Sequence, residues 1–187
     1  MKKVLIAGIG NILLGDDGVG PYIARLLAAR FTFDENVEVL DLGTPSLDLA
    51  DHISGKEAVI IIDSVDTEAA PGSVLLYRKA DIMRHGSAVR MDTHSPALVS
   101  TLLRAEFFGA APRDVLLVGV RGKSYDCGCN FSDSVKASET KVIEEVLSEL
   151  RRLEVNFECL EHSVEIGIWW TTGGVPSDPP RLGFLGR

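Results

Sequence analysis

Four residues of this 187-residue chain combine proton-transfer or metal-ligating chemistry with a loop position. Asp16 and Asp17 follow a short apolar strand and a glycine-rich turn in MKKVLIAGIGNILLGDDGVG, Asp63 closes the apolar run of VIIIDSVD, and His94 sits in MDTHSPAL. The spacing of Gly8 and Gly10 fits a dinucleotide-binding turn. A pyrophosphate, however, docks at a helix N-terminus because amides and the helix dipole favour negative charge there, and two carboxylates would repel it. The same pair suits a hard cation or proton transfer. One imidazole with two carboxylates is a mixed nitrogen and oxygen donor set for a divalent metal. Each residue also has an ordinary reading: Asp17 as a charge at a helix start, Asp63 in an Asx-turn, and His94 as a surface histidine. Spacing alone does not choose between them.

The elements that must position these residues follow from hydrophobic periodicity. Val4 to Ala7 reads as a first strand and Pro21 to Ala29 as a helix with Ile23, Leu26 and Leu27 on one side. Val37 to Leu42 alternates with period two, as a strand does. Thr44 and Pro45 lead into a short helix over Ser46 to Ile53. Ala58 to Ile62 is a continuous apolar run, as expected of a strand buried on both faces. Gly72 to Tyr77 returns after a connection too short for a crossover helix, so this strand runs antiparallel to the rest. Pro96 to Phe108 reads as a helix, Val115 to Val120 as the last strand, and Ser134 to Leu153 as an amphipathic helix with Val135, Val142, Val146, Leu150 and Leu153 at helical spacing. Strands alternating with helices predict a three-layer α/β/α sandwich, with a mostly parallel twisted sheet and one antiparallel strand. The expected domain covers residues 1–154. Residues 155–187, with both tryptophans and three of the eight prolines, read as an extension in which Val164 to Trp170 adds an edge strand before an extended tail.

Composition narrows the function classes. The chain is long enough for one sizeable core. Its formal net charge of −8 disfavours nucleic acid and anionic membrane surfaces as partners. No apolar run is long enough for a membrane span, and Gly, Asn and Asp interrupt the first apolar stretch too early for a signal peptide. Three cysteines suit a reducing compartment, so a cytoplasmic protein is expected.

The segments GIGNILLGDDGVG, VEVLDLGT, VIIIDSVD with its following Pro-Gly turn, THSPAL, and LLVGVRG with the polar loop after it occur in one collinear order. Together they resemble the endopeptidases that mature the large subunit of nickel–iron hydrogenases, over about the first 153 residues. The resemblance implies a peptidase that recognises nickel already inserted in the large-subunit precursor and then removes a short C-terminal extension. It implies metal contact through Asp17, Asp63 and His94, with the nickel supplied by the precursor and bound weakly by this protein alone. Asp17, Asp63 and Asp16 are the candidates for the hydrolytic step. Gly10 and Asn11 shape the crevice, and Gly43 and Thr44 line it. The first metal position is often glutamate in that family; here it is Asp17, one methylene shorter, with Asp16 beside it to share or replace the role. Two mechanisms stay open: nickel polarises a carbonyl or activates water, or it is a recognition tag and a carboxylate such as Asp16 or Asp41 is the general base. The alternative from another class is a non-catalytic, nickel-dependent checkpoint module for the same precursor. A monomer acting on a large protein partner is the expected assembly.

Other constellations carry less. Cys127 and Cys129 with Cys159 and His162 contain four zinc-type ligands, but C-x-C is an unusual spacing and the halves flank the long helix. Ser64 and Ser95 lack a base and its orienting partner, and there is no G-x-S-x-G. His52 and His85 read as surface residues. Trp169 and Trp170 read as strand packing or as a hold on a protein partner.

Overall fold

The computed structural model describes residues 2–45, 48–85, 98–128 and 130–160. His94, Ser95, Cys129 and His162 lie outside them, as do the first residues of two expected helices (Ser46 and Pro96) and the whole of Val164 to Trp170 with the tail.

Four strands are parallel: β1 (Val4–Ile9), β3 (Val37–Gly43), β4 (Ala58–Val65) and β6 (Asp114–Arg121). The fifth strand of the sheet, β5 (Val74–Arg78), pairs antiparallel with β6, and the order across the sheet is β3-β1-β4-β6-β5. The short Pro-Gly connection before β5 therefore does what a short connection must. All of β1 and β4 is buried, which is why both read as continuous apolar runs.

Alternation along the strands sends side chains to two separate cores. Val4, Ile6, Ile60, Ile62 and Val118 pack with helices α1 (Val19–Arg30) and α5 (Asp133–Arg152) on one face. Leu5, Ala7, Val59, Ile61 and Leu117 pack on the other face with α2 (Leu49–Ile53), α3 (Lys79–His85) and α4 (Leu98–Phe107). The three-layer sandwich is thus observed. Ser132 caps α5, its hydroxyl oxygen accepting from the Val135 N–H, and Arg151 and Arg152 occupy the last turn, where the helix dipole favours cations.

Three elements differ from expectation. A helix, α3, follows β5 without a gap. Two three-residue strands, β2 (Phe31–Phe33) and β7 (Phe157–Cys159), pair antiparallel as a separate ribbon. Val155 is buried in the core beside α5, and Phe157 of β7 packs against the same core.

Candidate functional site

The chain leaves β1, forms β3 on one side of it and β4 on the other, so the sheet order reverses beside β1. Open α/β sheets bind ligands at that reversal, outside the carboxyl ends of the strands. The loop after β1 runs there into a 3-10 turn over Gly15–Gly18, and α1 begins directly after it. Helix α1 approaches closely because Gly20 lies against the Ile9 and Ile62 carbonyls and Gly8 against Gly20, places where a Cβ would collide with backbone. Gly10 adopts φ +139°, a conformation glycine accepts readily, with the Asp17 carbonyl where a side chain would project. The Gly10 N–H donates to the Gly43 carbonyl at 2.8 Å, bringing the end of β3 to the same loop.

The adjacent aspartates are both buried, at 1% exposure, yet they do different things. Asp16 takes four hydrogen bonds from the β6–α5 loop: from the amides of Lys123 (2.7 Å), Ser124 (3.1 Å) and Ser132 (2.7 Å) and from the Ser132 hydroxyl (2.8 Å). Burial pushes its carboxyl upward, and the bonds from Ser132, Lys123 and Ser124 outweigh that, holding it below the ordinary carboxylate value. The same loop is tied down again where Gly15 N–H meets the Gly128 carbonyl and Gly128 N–H the Leu13 carbonyl.

Asp17 turns inward. One of its oxygens accepts the Asn11 N–H at 2.7 Å and the other the Ser64 hydroxyl. Asp63, 1% exposed, lies inside β4 rather than at its end, paired in register with Gly119, and accepts the Ser64 N–H at 2.7 Å. Ser64 therefore holds Asp17 with its side chain and Asp63 with its main chain, which brings two of the three expected metal contacts together. The third, His94, lies outside the described residues, and among those residues no group of three His, Cys, Asp or Glu side chains is arranged for a metal. The sequence presents Ser64 only as a serine without a base; that its hydroxyl donates to Asp17 shows only once the two are placed side by side.

The remaining candidates separate. Asp41 pairs with Arg25 at 3.1 Å and accepts the Gly43 N–H, so this possible base is already engaged. Cys127 and Cys159 are exposed free thiols. One neighbours Gly128 at the site and the other pairs with Phe31 beyond the far end of α1, about 18 Å along a 12-residue helix. They cannot share a zinc ion.

Fold and site together define a three-layer α/β sandwich with buried carboxylates gathered at its switch point. Residues 21–149 match the family described as hydrogenase maturation protease, and the chain belongs to that family. It is 30% identical over 150 residues to the hydrogenase 2 maturation protease of Escherichia coli, covering 80% of this chain and 91% of that protein. It is 36% identical over 136 residues to the hydrogenase expression/formation protein HoxM of Azotobacter vinelandii. That match covers 72% of this chain and 66% of HoxM, so the chain spans just under two thirds of that relative. Among solved structures, the hydrogenase maturating endopeptidase HybD from E. coli superposes with a TM-score of 0.79 at 29% identity, over 85% of this chain and 98% of that one.

Proposed function

We propose that this protein is an endopeptidase that removes a C-terminal extension from the nickel-loaded precursor of a nickel–iron hydrogenase large subunit. The observation that carries the reading is the Asp17–Ser64–Asp63 linkage at the switch point, in a chain that belongs to the maturation protease family. The two carboxylates present hard oxygen donors from different elements, a chemistry that fits a divalent ion, with His94 as the third contact. Nickel arrives as part of the substrate, and its contribution there is to polarise a carbonyl or to mark the correct precursor. Asp17 and Asp63 face it, Asn11 and Ser64 orient them, and Gly10 lets the Asp17 backbone fold close against the end of β1. Asp16 takes no proton in this reading; with all four bonds committed it anchors the β6–α5 loop to the crevice. We assign a cytoplasmic site of action, and a monomer suffices for one protein substrate; among the described residues no helix is long and apolar enough to cross a membrane.

The test is the mass of a large-subunit precursor after incubation with this protein, with nickel inserted and without. Loss of a C-terminal peptide from the nickel-loaded precursor alone is expected. Tight binding to an intact precursor would instead identify a checkpoint module, and cleavage regardless of nickel would remove the metal from the account.

A further inference from the structure

Ser64 has three properties that a packing residue would not combine. It is 2% exposed, it stands on β4 immediately after Asp63, and it spends both of its donors on carboxylates of different elements. Alternation along β4 sends its side chain to the α1 face, together with Ile60 and Ile62, while Asp63 belongs with Ile61 and Val65 on the opposite face. The hydroxyl thus reaches Asp17 from the α1 face, and the main-chain amide reaches the Asp63 carboxylate beside it. We infer that Ser64 is a positioning residue: it sets the orientation of Asp17 relative to Asp63, and so the precursor-borne nickel that the pair can accept. The inference rests on the metal-contact role proposed above for the two aspartates.

The chemistry follows from the lone pairs. A carboxylate has about four acceptor sites. On Asp17 the Asn11 amide takes one on one oxygen and the Ser64 hydroxyl one on the other. With the hydroxyl removed, the side chain is steered only from the Asn11 side of these two donors. Aspartate has one fewer methylene than glutamate and little freedom to search for a metal, so its rotamer must be right beforehand. A hydroxyl fixed to the central strand supplies that preorganisation. Partners of this kind typically contribute about 10- to 100-fold to metal affinity.

The experiment compares binding of nickel-loaded and nickel-free large-subunit precursor to wild type, Ser64→Ala, Ser64→Thr, Asp17→Asn and the Asp17→Asn/Ser64→Ala double variant. Ser64→Ala keeps the amide bond to Asp63 and removes only the hydroxyl. It is expected to weaken binding of the nickel-loaded precursor about tenfold and to leave nickel-free binding within about twofold. Ser64→Thr retains a hydroxyl and stays within about threefold of wild type on both forms. In the Asp17→Asn background, Ser64→Ala adds less than about twofold, because the group it positions is already altered. Equal losses on both forms, undiminished nickel discrimination, or an additive effect in the double variant would each overturn the inference. If Ser64→Ala does not fold, Ser64→Cys, which keeps the volume and weakens the donor, replaces it with the same expectations. An Asp17→Asn protein that still discriminates nickel would instead overturn the metal-contact reading itself.

Discussion

The two ends of the parallel strands both bury carboxylates, and they treat them in opposite ways. At the amino end, Glu149 of α5 lies between Arg78 at 2.6 Å and Arg152 at 2.8 Å, and Arg152 reaches on to Asp114 at 2.7 Å. Burial pushes Glu149 up, and the hydrogen bonds and charges of Arg152 and Arg78 overcome it, leaving the carboxyl below its ordinary value. At the carboxyl end, the bonds described above to Asp16, Asp17 and Asp63 come from main-chain amides and serine hydroxyls. Such donors orient a carboxylate without cancelling its charge, whereas a guanidinium does both. The first arrangement ties α5 to the sheet. The second orients its buried carboxylates with neutral donors and ties the loops at that end to one another.

Forcing α1 away from the crevice breaks the comparison most severely. In Gly20→Ala the added Cβ meets the Ile9 and Ile62 carbonyls, which are backbone and cannot step aside. A loss of about 3 kcal/mol is expected, visible as a thermal midpoint lower by about 6–12 °C for a chain of this size. An unchanged midpoint would mean that α1 does not sit where it is described.

Asp16→Asn comes next. It sets an amide NH2 group against backbone N–H donors on one side or the other and costs about 2–3 kcal/mol. Hydrogen exchange should accelerate at residues 123–128 before it does in β1 or β4. Uniform acceleration would contradict the anchoring role.

At the other end, Glu149→Gln removes the charge between two arginines at a cost of about 2 kcal/mol, with cleavage by the folded fraction unaffected. A specific loss of cleavage would dissolve the distinction between the two ends. The smallest effect is its pH dependence. Because the folded pKa of Glu149 is lowered, its contribution is complete above the ordinary value of 4.5 and disappears as pH falls through the lowered one. The stability gap between wild type and Glu149→Gln, measured by denaturant unfolding, should therefore narrow on acidification. A gap undiminished at about pH 2 would contradict the ion-pair account.

The sequence revealed the elements whose pattern is local. β1, β4 and β6 are apolar runs because both faces are covered, and α5 shows its period over 20 residues. The ribbon of β2 with β7 was hidden because three residues carry no period and the partners lie over a hundred positions apart. The apolar run of β4 ends at Ile62, three residues before the strand does: Asp63 and Ser64 look like the end of a strand, but their pairing with Gly119 and Val120 continues the ladder to Val65. Asp17 and Asp63 were visible as acids at loop mouths. What separates Asp16 from Asp17 was not, because the donors to Asp16 lie more than a hundred residues downstream and sequence gives neighbours equal standing.

The central claim is that Asp63, oriented by Ser64 and matched with Asp17, acts on the substrate rather than on the fold. The direct measurement is the mass of nickel-loaded large-subunit precursor after incubation with Asp63→Asn protein that has a wild-type thermal midpoint. The account predicts an intact precursor over a period in which wild type releases the C-terminal peptide, a loss of at least about 100-fold, the upper end of what orienting partners of a metal alone contribute. Cleavage at the wild-type rate would contradict it.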